Sequence, residues 1–94
     1  MQASGLQALP GGDLVEQGLA DLEAGVESVE SLLVSIASTR LRAAGLPVAT
    51  PFADPEFRLY GLLETEDEAG AHGRYNALVR RLVSFERAAE CVAP

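Results

Sequence analysis

The sequence predicts an all-α fold: a small three-helix bundle with one long heptad-patterned N-terminal helix, completed by dimerisation. Three observations predict it. Apolar residues recur at helical spacing in three segments, aromatic residues make up only 5% of the chain, and no segment alternates strictly between apolar and polar residues. Because 94 residues are enough for one domain, we expect a flexible arm over residues 1–12 and a single helical domain over residues 13–94.

The first helix is predicted over about residues 13–44. Asp13 is the candidate N-cap, with Glu16 at the capping-box position, and Gly45 is the predicted stop. Gly18 and Gly25 lie seven residues apart beside the apolar stripe, where they would allow a neighbouring helix to approach closely. A helix of this length would be a rod of about 48 Å. Its apolar stripe alternates steps of four and three residues and consists of Val15, Leu19, Leu22, Val26, Val29, Leu33 and Ile36.

Two further helices are predicted over about residues 55–70 and 73–92. Asp54 followed by Pro55 is typical of a helix start, because proline fits the first helical position. The apolar residues of the second helix are expected to form one broad face: Phe57, Leu59, Tyr60, Leu62 and Leu63. The last helix repeats a heptad stripe, which consists of Tyr75, Leu78, Leu82, Phe85, Ala89 and Val92.

Charged residues suggest how the first and last helices pair. In one heptad frame, the e positions of the first helix are Glu16, Glu23 and Glu30, and the g positions of the last helix are Arg74 and Arg81. In parallel neighbouring helices these positions face each other. We therefore expect ion pairs between the two helices.

The composition argues against several classes of function. The formal net charge is −7, so the chain would repel the phosphates of nucleic acid. The longest apolar stretch is far shorter than the roughly 18 residues that a membrane span needs. A single cysteine, Cys91, gives neither an intramolecular disulfide nor a cysteine-based zinc site. We expect a cytoplasmic protein without a cofactor, without nucleic acid and without a membrane.

A second apolar stripe on the first helix predicts association. Leu32, Val34 and Leu41 lie off the heptad stripe, so this part of the rod is apolar almost all round. Two shorter helices would not cover such a rod. These three residues are therefore the predicted interface with a second copy of the chain or with another helical protein.

Two acidic pairs are the candidate metal ligands. Glu27 with Glu30, and Glu64 with Asp67, are each spaced i, i+3, which places the members of a pair on one helical face where they can share a divalent cation. This spacing resembles that of the all-α MazG-like nucleotide pyrophosphatases, whose acidic motifs on two helices bind magnesium beside a triphosphate. The resemblance covers four residues, and the chain lacks the family's doubled glutamate before the first motif and any lysine. It implies a divalent-metal-dependent nucleotide phosphohydrolase as the alternative function.

The only histidine, His72, follows Glu68 by four residues and lies near the predicted turn before the last helix. This spacing can ligate a transition metal or form a simple hydrogen bond. A general base also needs an orienting partner and a pocket, neither of which the sequence locates, so no catalytic residue is predicted. The main hypothesis is a small non-catalytic helical interaction or oligomerisation protein, either a homodimer or a partner-binding subunit. A module that binds a ligand in the bundle core is a further alternative.

Overall fold

The computed structural model describes residues 6 and 8–92, and it is all-helical over that part of the chain. The α-helices in that part of the chain are α1 Gly12–Glu23, α2 Val29–Ile36, α3 Ser38–Ala43, α4 Pro55–Glu66 and α5 Ala71–Val92. The all-α prediction is therefore confirmed. The predicted three-helix order is not what is observed, because the first predicted helix is divided into three.

The continuous helix predicted over residues 13–44 is wrong, and the first interruption lies at Gly25. Its φ of +74° is left-handed, a conformation that glycine adopts without strain. The N–H of Gly25 bonds to the carbonyl of Leu22 at 3.1 Å, and the N–H of Val26 bonds to the carbonyl of Asp21 at 2.8 Å. These two bonds form a Schellman motif, which ends α1.

Ser28 is the N-cap of α2 and follows this turn closely in the chain. Its hydroxyl oxygen accepts the N–H of Ser31 at 3.0 Å, and the Ser31 hydroxyl oxygen accepts the N–H of Ser28 at 2.8 Å. This reciprocal pair is a capping box. The Ser28 hydroxyl also donates to the carboxylate of Asp21 at 2.7 Å, which ties the start of α2 to the last turn of α1. The two helices therefore form an antiparallel hairpin where the sequence predicted a straight rod.

Replacing Ser28 by alanine is expected to lower the free energy of unfolding by about 1 kcal/mol, because the N-cap of α2 and its bond to Asp21 are lost together. Urea denaturation monitored by circular dichroism measures the change. Ser84→Ala, at an exposed position within α5, is the matched control and should change stability by less than about 0.5 kcal/mol. Equal effects of the two substitutions would show that the cap does not stabilise the hairpin.

The second interruption lies at Ala37, between α2 and α3. Its φ of −97° and ψ of 13° lie outside the helical range. Helix α3 then ends at Ala43, and Gly45, the residue after its C-cap, has φ +91°. The N–H of Gly45 bonds to the carbonyl of Arg42 at 2.9 Å, and the N–H of Leu46 bonds to that of Leu41 at 3.0 Å. This second Schellman motif confirms the predicted stop at Gly45.

Gly18 allows the two helices of the hairpin to cross at close range. A Cβ atom built on Gly18 would overlap the carbonyl oxygen of Glu30 and the side chain of Val34. The expected close approach at Gly18 is therefore present, and the neighbour is a segment that was predicted to belong to the same rod. Gly25 serves the turn instead, with open space around it.

The side chains of α2 lie in the centre of the core and are buried by other helices of the same chain. Leu32 and Val34 are 0% exposed and Leu41 is 1% exposed. The structure therefore places all three predicted interface residues in the interior, where a second chain cannot reach them. The reason is the hairpin: α1 folds back over α2 and covers the flank that a straight rod would have left open. Their buried neighbours include Val15, Leu22, Leu33, Leu59, Leu63, Leu82 and Phe85.

The connection between α3 and α4 is held by side chains of the preceding helices. The guanidinium of Arg42 donates to the carbonyls of Val48 at 3.2 Å and Ala49 at 2.9 Å. The buried hydroxyl of Ser35 accepts the N–H of Phe52 at 3.0 Å. These bonds satisfy backbone groups of a segment whose prolines prevent regular helix.

Helix α4 begins at Pro55 as the sequence indicates, but it ends at Glu66, four residues before the predicted end. Asp67 is in an extended conformation, and its carboxylate accepts the N–H of Gly70 at 3.2 Å. This turn leads into α5, which begins two residues before its predicted start. A run of acids at a helix C-terminus opposes the helix dipole, which favours this early end.

The predicted flexible arm, residues 1–12, falls partly outside the described residues. Within the described part, Leu6 is buried and Leu9 packs against the core, so these residues are not a free arm. The N-cap of α1 is Gly11, and Asp13 lies in the first helical turn, so the predicted N-cap at Asp13 is wrong.

The predicted ion pairs between the first and last helices are also wrong in their partners. Arg81 bonds to Asp13 at 3.0 Å, and Arg74 bonds to Glu66 of α4 at 2.6 Å. Because the predicted rod is a hairpin, the heptad register that placed Glu23 and Glu30 opposite these arginines does not exist. All four side chains of the observed pairs are nearly half exposed or more, so each pair contributes at most about 1 kcal/mol.

Candidate functional site

Helix α4 has a buried side and an outward side. Leu59 and Leu63 are 0% exposed, whereas Phe57 is 82% exposed. The single broad apolar face predicted for this helix is wrong, because residues 57 and 59 are about 200° apart around an α-helix. Phe57 therefore points away from the core, on the same side as Gly61, where an added Cβ would meet nothing within 4 Å.

Aromatic rings extend from Phe57 onto the start of α5. Tyr60 follows Phe57 by one helical turn, so the two residues are neighbours on the helix surface. The ring of Tyr60 lies 5.7 Å from that of Tyr75 and 6.4 Å from that of His72, both in tilted geometry. We call these four residues, Phe57, Tyr60, His72 and Tyr75, the aromatic surface. Tyr60 and Tyr75 are half-buried, and His72 is exposed.

Acidic side chains occur along α4 and in the turn that joins it to α5, next in the chain to the residues of the aromatic surface. We call four exposed acids the acidic rim: Glu56, Glu64, Asp67 and Glu68. None of them forms an ion pair within residues 8–92. The nearby arginines have partners, since Arg74 bonds to Glu66 and Arg58 bonds to Glu27 at 2.8 Å. The surface is therefore apolar at its centre and negative at its edge.

The pKa of Tyr75 reports this environment. Burial of its hydroxyl raises the pKa above the ordinary value of 10.0, and the negative charge of Glu56 raises it further. Both causes disfavour the phenolate, so Tyr75 stays neutral in the folded chain at pH values where an exposed tyrosine begins to ionise. Raising the pH through this range should lower the stability of the fold, because the unfolded chain loses the proton first.

An absorbance titration of the phenol tests this prediction, since the chain contains no tryptophan. In Tyr60→Phe, Tyr75 is the only phenol, and its midpoint should lie above 10.0. Adding Glu56→Gln should lower that midpoint without returning it to the ordinary value, because the burial remains. A midpoint at or below 10.0 in Tyr60→Phe, or no change on adding Glu56→Gln, would contradict the described environment.

The two acidic pairs named as candidate metal ligands for the alternative function are not brought together. Within the part of the chain that the structure describes, no group of three or more His, Cys, Asp and Glu side chains could hold one metal ion. Glu27, in the connection before α2, bonds to Arg58 of α4. Asp67 turns back to the N–H of Gly70. The i, i+3 relation of Glu64 and Asp67 does not survive either, because α4 ends between them.

The remaining polar and titratable residues of interest lie in separate places on the molecule. His72 is the second residue of α5, and its Nε2 lies 3.2 Å from the side-chain amide of Asn76. Cys91 is an exposed free thiol. At the other end of the molecule, a cavity of about 190 Å³ is lined by Arg40, Ala43, Ala44 and Glu90. Beside it Arg40 bonds to the buried carboxylate of Glu86 at 3.0 Å, which neutralises that charge.

Comparisons with known proteins supply no further assignment. The chain matches no protein-family model, no curated protein and no solved structure. No helix within residues 8–92 is long and apolar enough to cross a membrane.

Proposed function

We propose that this chain is a small non-catalytic helical protein that works by binding another protein chain, and that the aromatic surface is where it binds. The observation that carries the proposal is Phe57, a large apolar side chain that is 82% exposed in the first turn of α4. A phenylalanine in this position contributes nothing to the core of its own chain. Burying it against a partner would be favourable by about 1.5–3 kcal/mol.

The neighbours of Phe57 support the same function. Tyrosine and phenylalanine are enriched at the centres of protein interfaces, because they offer a large contact area at a small loss of conformational entropy. The tilted contacts of Tyr60 with Tyr75 and His72 hold its ring in place before any partner arrives. A polar rim around an apolar centre is the usual anatomy of such a site.

The partner in this proposal is a second copy of the chain or another helical protein. Association through Leu32, Val34 and Leu41 is not part of it, since these residues are buried in the single chain. The cytoplasmic location expected from the sequence is retained as part of the proposal. No observation favours the metal-dependent phosphohydrolase, so it is not proposed.

Selection of displayed random peptides on the immobilised chain tests the function. Peptides enriched on the wild type should bind Phe57→Ser at least about tenfold more weakly, because the substitution removes the central contact. Val26→Ser is the matched control, since Val26 is the other large apolar side chain that is exposed in the described residues, at 49%. The proposal is overturned if no peptide is enriched, or if the enriched peptides bind wild type and Phe57→Ser equally.

A further inference from the structure

We infer that the occupant of the aromatic surface is a basic amphipathic helix of a different protein, an inference that rests on the proposed function. Two observations carry it: the apolar centre at Phe57 and the unpaired acidic rim around it. A lysine- or arginine-rich segment with one apolar face complements both. A second copy of the chain complements the apolar centre at Phe57 but not the acidic rim.

The charge balance decides between these two occupants. The arginines beside the surface, Arg58 and Arg74, are already bonded to Glu27 and Glu66. The four acids of the rim therefore remain to be neutralised, in a chain whose formal charge is −7. A second copy would bring the same acids and the same net charge against them. A basic segment would instead be attracted, and the attraction would weaken as salt screens it over about 10 Å at 0.1 M.

The shape of α4 defines how a helix would lie on it. Phe57, Gly61 and Glu64 are spaced i, i+4, i+7 and so form one line along the outward side of α4. Gly61 has no side chain and open space above it, so an apolar side chain of the partner can contact the helix backbone beside the Phe57 ring. Cationic side chains on either side of that contact would reach Glu56 at one end and Glu64 and Glu68 at the other. The rings of Phe57 and Tyr60 add a cation–π contribution.

The experiment uses a synthetic helical peptide of about 18 residues, long enough for several turns. The peptide carries leucine at i, i+4 and i+7 and lysine on both flanks, and a matched peptide carries glutamate in place of lysine. Fluorescence anisotropy measures binding to the full chain. We expect the lysine peptide to bind and the glutamate peptide not to bind. Raising the salt from about 50 to about 500 mM should weaken the binding at least about tenfold.

Variants separate recognition at this surface from general attraction to an acidic protein. Phe57→Ser should weaken binding of the lysine peptide at least about tenfold. The double variant Glu64→Gln with Glu68→Gln should weaken it by about three- to tenfold. The control is Glu23→Gln with Glu90→Gln, which changes the net charge equally at exposed positions away from the rim, and it should weaken binding less than twofold.

The outcomes distinguish this inference from the proposed function. If both control and rim variants weaken the lysine peptide equally and Phe57→Ser has no effect, the attraction is general and the inference is overturned. If the lysine peptide fails to bind while the chain dimerises through Phe57, more strongly at high salt, the inference is wrong and the proposed function stands. If neither peptide binds and no displayed peptide selected on the chain depends on Phe57, both are wrong.

Discussion

Replacing Val34 by aspartate is expected to unfold the free chain, with a loss of about 4 kcal/mol or more in the free energy of unfolding. Val34 is 0% exposed and lies beneath Gly18, where the two helices of the hairpin cross. A carboxylate at this position has no room and no polar partner. Domains have a total stability of about 5–15 kcal/mol, and a small core of this kind lies toward the lower end, so a loss of this size removes most of the stability.

Circular dichroism at several protein concentrations measures this effect. Because the buried contacts are within one chain, the loss of helix should not depend on concentration. Val26→Asp is the matched control, since Val26 is 49% exposed beyond the end of α1, and it should remain folded. If Val34→Asp gives a folded chain that differs from the wild type only in association, Val34 lies at an interface and the described core is wrong.

Replacing Gly18 by alanine is the second large expected effect, a loss of about 2–3 kcal/mol. The added methyl group would overlap the carbonyl oxygen of Glu30 and the side chain of Val34, and the carbonyl carbon of Glu30 lies 2.9 Å from the Cβ position. Backbone atoms cannot move aside cheaply, so α1 and α2 would have to separate. That separation weakens the contacts of the hairpin along its length.

The matched control for Gly18→Ala is the same substitution at Gly61. A methyl group at Gly61 meets nothing within 4 Å, and alanine favours helix over glycine by about 0.5–1 kcal/mol. Urea denaturation should therefore show Gly18→Ala less stable and Gly61→Ala more stable than the wild type. A Gly18→Ala variant at least as stable as the wild type would mean that the two helices do not cross at this glycine.

The apolar pattern indicates where most helices lie, but it does not predict that the first one is divided. The heptad stripe passes through Val26, yet Val26 is 49% exposed and follows the end of α1. Val26 follows Leu22 by four residues and precedes Val29 by three, as in a helix, but it lies in the connection between α1 and α2. The sequence around Gly25 resembles that around Gly45, an alanine, a glycine and an aliphatic residue, and both glycines end helices. Only Gly45 is predicted as a stop, because the spacing of the apolar stripe continues through Gly25.

Two predictions about binding residues are wrong, one because the first helix is divided and the other because of the angle between Phe57 and Leu59 around α4. The interface assigned to Leu32, Val34 and Leu41 assumed a rod that nothing in its own chain could cover, and the hairpin covers it. The predicted apolar face groups Phe57 with Leu59, but two consecutive steps of about 100° place them on opposite sides of a helix. A helical projection of α4 from the sequence alone would have identified Phe57 as outward-facing. The contacts among Tyr60, His72 and Tyr75 depend on how α4 packs on α5, which local spacing does not specify.

The most direct test of the proposed surface is a map of backbone amide chemical-shift changes when the lysine-rich peptide is added to the isotope-labelled chain. The largest changes should fall within residues 56–68 and 72–75, where the aromatic surface and the acidic rim lie. Amides of Arg40, Ala43, Ala44 and Glu90, which line the cavity at the other end of the molecule, should change little. Changes centred on those four residues, or spread evenly over the acidic residues of the whole chain, would contradict binding at the aromatic surface.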